Sequence, residues 1–265
     1  MKASGQLRKM KVEIGPPVAY TLNLGDDAVN MNDLIGSEIK LDFEHRITCI
    51  VCGRETKKAF GQGMCYPCFA NAPENAECII RPELCEAHLG KGRDPEWEKI
   101  HHATDHYVYL ALSSSIKVGV TRGTQVPDRW IDQGATAAIK FALVPYRRLA
   151  GEIEVALKAH LTDRTDWRKM LKNEVNMELD LLGEKDKLGD ELDPELAQYI
   201  TDEDEVLDIE YPVDKYPLKV KSVGFDKLPT VEGKLTGIKG QYLLFSDDRV
   251  LNIRKHSGYH VTLEA

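Results

Sequence analysis

Residues 107–122 read YVYLALSSSIKVGVTR, and this stretch decides the fold of the middle of the chain. Two short apolar segments lie on either side of a serine turn, which predicts a pair of neighbouring strands. The next segment, PDRWID at 127–132, predicts a helix with proline near its first turn. Apolar residues recur every four positions from Leu149 to Leu161, which predicts a second helix starting near Arg148.

Strands are also predicted at both ends of the chain. Residues 18–24 and 39–43 have the composition or alternation of strands. A hairpin is predicted over 241–253, where two apolar runs flank Ser-Asp-Asp. The two ends together predict a small β-barrel or sheet, and the whole chain is predicted to be α+β.

Charge and composition divide the 265 residues further. Net charge is −8, but residues 173–210 alone hold 15 Asp and Glu against two Lys. Residues 115–172 hold 11 Lys and Arg against six acidic residues, a mild basic bias that suits a polyanion. The predicted segments are an N-terminal β segment (1–47), a zinc-binding module (48–106), a β-β-α-α domain (107–172), an acidic helical linker (173–210) and a C-terminal β domain (211–265).

All six cysteines lie between Cys49 and Cys85. Two CxxC pairs, Cys49 with Cys52 and Cys65 with Cys68, are separated by 12 residues. Two such turns complete a tetrahedron of thiolates, so we predict a structural zinc ion in a zinc-ribbon-like module. Free thiols or a redox pair are the alternative.

A second metal ion is predicted in the same module. Its candidate ligands are Cys78, Cys85, His88 and one later histidine, which is His101, His102 or His106. Two buried cysteines with surface histidines would explain the pattern equally well. A third interpretation gives one of these histidines a role in nucleic-acid chemistry.

A sparser pattern lies in the middle of the chain: Val108-Tyr109-Leu110, Lys117-Val118-Gly119, Arg129 and Glu154. Over 107–172 this pattern resembles the GIY-YIG endonuclease superfamily, in the divergent branch whose second motif reads Lys-Ile-Gly. The resemblance implies a small sheet with helices and a catalytic set in which Lys117 replaces the second tyrosine.

The same resemblance implies a role for each residue of the set. Tyr109 would position or activate water, and Arg129 would stabilise phosphate charge. Glu154 would bind Mg²⁺, with Glu152 as a rival for that role. We further expect Tyr109, Lys117 and Arg129 to lie on one face of the sheet, with Lys117 directly across from Tyr109.

Longer motifs extend along the chain: CIVCGR (49–54), GMCYPC (63–68), RPELC (81–85), KVGVTR (117–122), RWIDQGA (129–135) and GIKGQYL (237–243). Across the whole chain they resemble a bacterial family, domain-of-unknown-function family 2797. Members of that family often have further cysteines near the positions of Gly92 and His101, so the resemblance implies that the second metal site is altered or lost here.

The sequence therefore predicts a zinc-containing protein that binds DNA or RNA and has a nuclease-like domain. The alternative is a module without catalysis, associated with nucleic acid or the ribosome, or one whose acidic segment contacts a basic protein. The chain has no apolar stretch of 18 residues, so no membrane span is expected. Its N-terminus lacks the apolar segment of a secretory signal, and we expect a cytoplasmic protein.

Overall fold

The computed structural model describes residues 1–161, 165–176 and 178–265. In these ranges the strands are β1 (Lys2–Gln6), β2 (Lys11–Glu13), β3 (Ala19–Leu24), β4 (Asp27–Asn30), β5 (Glu38–Ile47), β6 (His106–Leu112), β7 (Ile116–Arg122), β8 (Ala137–Val144), β9 (Leu207–Asp208), β10 (Lys221–Val223), β11 (Thr230–Lys239), β12 (Tyr242–Phe245), β13 (Arg249–Asn252) and β14 (Tyr259–Glu264). The α-helices are α1 (Tyr66–Asn71), α2 (Pro95–His101), α3 (Asp128–Asp132), α4 (Arg147–Leu157), α5 (Trp167–Leu171), α6 (Leu181–Asp190) and α7 (Pro194–Ala197). None of these helices is long and apolar enough to cross a membrane.

The chain divides into two compact units. The first combines Met1–Ala70 with Ile209–Ala265, and the second is Asn71–Asp208. Strands and helices occur together across the described residues in three separate sheets, so the predicted α+β class is confirmed.

The first unit is built on a seven-stranded sheet in the order β1-β14-β5-β11-β12-β13-β10. Alternate side chains of β14 are buried, as expected for a strand with one face on the core. Strand β1 pairs with β14 from Lys2 to Gln6, so both ends of the chain join one sheet. Within the described ranges this sheet stays open and forms no barrel, so the chain ends adopt the sheet and not the barrel. A three-stranded sheet, β2-β3-β4, completes the unit.

The second unit is built on a four-stranded antiparallel sheet in the order β7-β6-β8-β9. Strands β6 and β7 are the two strands that the sequence predicts around the serine turn. Strand β8 was not expected from the sequence. Most of its residues, AAIKFALV, are buried and lie on both faces of the sheet, with Lys140 half-buried and Leu143 exposed, so the strand lacks the polar alternation that marks a half-buried strand.

Helices α4 and α6 cover this sheet and share one core with it. The apolar stripe predicted on α4 is buried, because its residues face the strands. The buried members of this core are Val108, Leu110, Leu112, Ile116, Val118, Ala137, Ile139, Phe141, Ala142, Val144, Leu149, Ala150, Ile153, Leu157, Leu181, Leu188 and Leu192.

The acidic segment 173–210, predicted as a linker, is part of the second unit as far as Asp208. Helix α6 supplies buried leucines to the core, and β9 pairs with β8. Glu203 accepts hydrogen bonds from Tyr107 at 3.0 Å and from Lys140 at 2.5 Å. The high net charge of the segment gave no indication of these buried apolar positions. Its acidic side chains partly neutralise cations of the sheet, as Glu203 does for Lys140.

Candidate functional site

The first group of candidate metal ligands consists of Cys49, Cys52, Cys65 and Cys68, called the four-cysteine group below. Their sulfur atoms all lie within 4.8 Å of one another. Cys52 Sγ and Cys65 Sγ are 3.7 Å apart. A zinc–sulfur bond of about 2.3 Å in a tetrahedron places two sulfurs about 3.8 Å apart. The group therefore fits a tetrahedral ion such as zinc, at the positions that the sequence predicts.

Two turns build the four-cysteine group. The backbone N–H of Gly53 donates to the Cys49 carbonyl at 2.9 Å, and Gly53 has a φ of +71° that favours glycine. Cys65 immediately precedes α1, and Cys68 lies within its first turn. Glycine lies next to each CxxC pair, Gly53 directly after the first and Gly63 two residues before the second. These local turns direct both pairs toward one point.

Backbone donors already favour the charged form of one ligand. Burial raises the pKa of the Cys49 thiol, but N–H donors of Cys52, Cys65 and Val51 outweigh it and bring that pKa to about 6. The pKa of Cys68 is raised, first by its hydrogen bonds with Cys65 and Cys52. Four thiolates cannot be charged together at this distance without a cation, and a divalent ion supplies that charge.

The second group consists of Cys78, Cys85, Glu98 and His102, called the mixed-ligand group below, and all four residues are buried. His102 Nδ1 lies 3.9 Å from Cys78 Sγ and 3.6 Å from Cys85 Sγ. It lies 3.7 Å from Glu98 Oε2. These atoms could hold a metal ion such as zinc.

Three histidines predicted as candidates for this second group lie elsewhere. His88 stacks on Tyr146, with ring centroids 4.5 Å apart. His101 stacks on Trp97, with ring centroids 4.0 Å apart, and its Nδ1 donates a hydrogen bond to the Trp97 carbonyl. His106 is buried, with its Nδ1 2.6 Å from the Thr104 carbonyl.

Sequence reasoning missed Glu98 and selected His102 only as one of three alternatives. A signal was present, because Asp94-Pro95 marks a helix start and Asp94 accepts a hydrogen bond from Trp97 N. In a helix that starts there, Glu98 and His102 are at positions i and i+4, so both lie on the same face.

A third group, called the Tyr109 cluster, contains Tyr109, Lys117, Arg129, Gln133 and Glu154. Tyr109 Oη donates to Gln133 Oε1 at 3.1 Å, and Lys117 Nζ donates to the same oxygen. Register places Gly119 directly opposite Tyr109, and Lys117 opposite Ala111. Lys117 therefore shares the face of Tyr109, but the prediction that it lies directly across from it is wrong by two residues.

The glycine of the Lys-Val-Gly motif makes room for the tyrosine. A Cβ on Gly119 would lie 2.5 Å from Tyr109 Oη and 2.6 Å from its Cζ. The Tyr109 ring therefore lies flat across its neighbouring strand. That position directs the hydroxyl toward Gln133, which follows α3.

Helices α3 and α4 bring the remaining members to the Tyr109 cluster. Burial is the main reason that the pKa of Tyr109 is raised; the charge and hydrogen bond of Arg129 oppose this shift, and the charge of Glu154 adds to it. Glu154 is buried and pairs with Lys158 at 3.3 Å. Glu152 instead pairs with Arg148 at 2.9 Å, where both side chains are 41% exposed. Of the two glutamates, Glu154 is the one in the cluster.

The Tyr109 cluster combines two cations with one carboxylate around a phenol that stays protonated at neutral pH. Gln133 was not predicted, because no local pattern links it to a tyrosine 24 residues earlier. Hydrogen-bond donors and cations that converge on one point suit an anionic group with several oxygens.

A family model described as "Protein of unknown function (DUF2797)" matches residues 36–261. The chain therefore belongs to this family, as the motifs predicted. No curated protein and no solved structure matches the chain.

Proposed function

We propose that this member of the DUF2797 family is a zinc-containing nucleic-acid-binding protein, and that its Tyr109 cluster is a GIY-YIG-like phosphodiester site. One observation carries the proposal: Tyr109 and Lys117 meet at Gln133, Arg129 interacts with the same buried hydroxyl, and the charge of Glu154 on α4 acts on it. Residues so far apart in sequence have no local reason to meet.

Each member of the Tyr109 cluster has a role in this proposal. The half-buried guanidinium of Arg129 offers a planar fork that matches two phosphate oxygens. Lys117 adds a compact positive charge. The Tyr109 hydroxyl donates to Gln133 in the structure, and a bound phosphate oxygen would take the place of that acceptor. Because the pKa of Tyr109 is raised, its hydroxyl positions an oxygen and does not remove a proton from water at neutral pH.

The proposal includes a magnesium ion bound by Glu154 in place of its present partner Lys158. Mg²⁺ binds in proteins through one or two carboxylates together with phosphate oxygens and water, and Glu154 is the carboxylate of the five-residue Tyr109 cluster. When bound, the ion would neutralise phosphate charge and make its bound water more acidic. Glu154 itself is held by the rigid turn of α4 and by Lys158.

The four-cysteine group has a structural role in this proposal. Four protein ligands leave no open coordination position, so such a site stabilises a fold and does not perform chemistry. Zinc binding would fix the two turns of residues 49–68, a segment with little secondary structure of its own.

A second function, phosphate binding without cleavage, is favoured by one specific observation. Both Tyr109 Oη and Lys117 Nζ are already directed at the Gln133 side chain, which holds them as donors. Groups held as donors keep their protons, so they suit an anion that replaces Gln133 as the acceptor more than they suit proton transfer. The two functions share the phosphate contact and differ only in hydrolysis.

Two pairs of variants on α3 and α4 test the proposal. Arg129→Ala should weaken binding of labelled DNA or RNA and lower the salt slope of affinity by about one phosphate contact. Arg148→Ala, which removes an exposed arginine paired to Glu152, is the matched control. Equal binding by both variants at every salt concentration would remove the Tyr109 cluster as a phosphate site.

Hydrolysis is tested with the glutamates. Glu154→Gln should abolish Mg²⁺-dependent cleavage while binding persists, and Glu152→Gln should change neither. Cleavage that survives Glu154→Gln would refute the catalytic assignment. Binding without any cleavage by the unmodified protein would select the non-catalytic function.

A further inference from the structure

We propose that the mixed-ligand group is a second zinc site, and that its ion fastens the first turn of α4 to the loop that carries the cysteines. This inference does not depend on the proposed nucleic-acid function. It rests on the geometry, the charge and the hydrogen bonds around four residues of the second unit.

Geometry is the first argument. Zinc bonds of about 2.3 Å to sulfur and 2.0 Å to nitrogen place the two ligand atoms about 3.5 Å apart in a tetrahedron. The distances from His102 Nδ1 to the two sulfurs are 3.6 Å and 3.9 Å, and the distance to Glu98 Oε2 is 3.7 Å. A direct hydrogen bond between His102 and Glu98 would be shorter by more than about half an ångström. The spacing leaves room for an ion between the four side chains.

Charge is the second argument. Two thiolates and the buried carboxylate of Glu98 would place three negative charges in an enclosed volume, which is very costly without cations. Zinc supplies two positive charges, and the guanidinium of Arg147, which interacts with both cysteines, supplies the third. The set is then neutral.

The surroundings of Glu98 hold it in a ligating position. Its Oε1 accepts a hydrogen bond from Arg93 N at 2.9 Å, which turns Oε2 toward His102. Gly92 makes this possible, since a Cβ there would lie 2.0 to 2.3 Å from the carboxylate atoms. A carboxylate that is fixed through its second oxygen is typical of ordered metal sites.

Helix α4 is attached to the same loop through its first residue. Arg147 donates from Nε to the Cys78 carbonyl and from Nη2 to the Ile79 carbonyl, both at 3.0 Å. Its backbone N–H donates to the His102 carbonyl at 2.8 Å. One arginine therefore ties the start of α4 to the chain at two of the four ligands.

A close backbone contact adds to this attachment. A Cβ on Gly151, one turn later in α4, would lie 2.2 Å from the backbone nitrogen of Glu83. Glu83 lies between Cys78 and Cys85, so α4 rests directly on the ligand loop. An ion that fixes both ends of this loop also fixes the surface on which α4 packs.

Measuring the zinc content of the protein tests the proposal directly. The purified protein should hold two zinc ions per chain, one in each cysteine-containing group. Cys85→Ala and the matched variant Cys65→Ala should each hold one, whereas His88→Ala and His101→Ala should keep both. One zinc in the unmodified protein, or loss of a zinc on removing His88 or His101, would overturn the assignment.

Hydrogen exchange measures the attachment of α4. Cys85→Ala should speed amide exchange across residues 147–157 by about tenfold or more relative to His101→Ala, because local opening becomes easier when the supporting loop is released. Unchanged exchange after proven loss of the second zinc would refute the fastening role.

A conservative variant covers the case in which Cys85→Ala does not fold. Glu98→Gln keeps both thiolates, so a cobalt-substituted protein should retain its thiolate charge-transfer absorption while its ligand-field bands change and this ion becomes easier to chelate. Identical cobalt spectra and chelation in Glu98→Gln and the unmodified protein would exclude Glu98 as a ligand and overturn the site as proposed.

Discussion

Replacing Gly119 with alanine would test whether Tyr109 lies across the neighbouring strand. The new Cβ would lie 2.5 Å from Tyr109 Oη and 2.6 Å from Cζ, about 1 Å inside normal contact. Tyr109 is 1% exposed, so its ring can move only by disturbing the core and its hydrogen bond to Gln133. Overpacking costs about 1–3 kcal/mol and a lost hydrogen bond about 1 kcal/mol. We expect Gly119→Ala to lower the free energy of unfolding by about 2–4 kcal/mol.

Urea denaturation followed by circular dichroism would measure this loss. Gly123→Ala is the matched control, because a Cβ there would lie 3.7 Å from the nearest atom, an ordinary contact with the Tyr107 ring. The phosphate affinity of Gly119→Ala should also fall, since Tyr109 would leave the cluster. Equal stability of the two alanine variants would show that Tyr109 does not occupy this place.

Three further predictions follow from the same structure. Gly151→Ala should destabilise the protein more than Gly119→Ala in urea, because the colliding atoms belong to the backbone of residues 82–83 and cannot rotate away. A strong zinc chelator should loosen residues 49–68, and proteolysis of that segment should follow the loss of zinc from the four-cysteine group. Burial lowers the pKa of His106 from 6.5 to about 4, so the unfolded chain takes up the proton first as pH falls. The neutral form of buried His106 therefore contributes about 3 kcal/mol to the free energy of unfolding above pH 6.5, and this contribution is lost as the pH falls toward 4. His106→Gln should flatten the dependence of stability on pH in this range.

Local patterns predicted the parts of the fold that depend on neighbours in sequence. Strands β6 and β7 follow from two apolar runs around a serine turn, and the four-cysteine group follows from two CxxC turns. Strand β8 gave no such signal, because burial on both faces removes the alternation. The acidic segment was predicted as a linker because its charge was counted over the whole segment, and that count takes no account of the leucines that α6 buries.

The other two sites depend on contacts that no local pattern contains. The mixed-ligand group joins two short turns to one face of α2, and glutamates on a helix surface are too common to identify one as a ligand. Gln133 meets Tyr109 and Lys117 only because β6, β7 and α3 fold together. Sequence can identify residue types suited to a chemistry, but the ligand set and the shared partner emerge from packing.

Helix α4 connects two of these sites through successive turns. Arg147 ties its start to the mixed-ligand group, Gly151 rests on the ligand loop, and Glu154 lies in the Tyr109 cluster. These three residues follow one side of the helix, while the apolar stripe on another side enters the core. An isolated helix of 11 residues is marginal in water, so its position is set by what it packs against. An ion in the mixed-ligand group would therefore act at a distance on Glu154, by fixing the surface that sets where α4 lies.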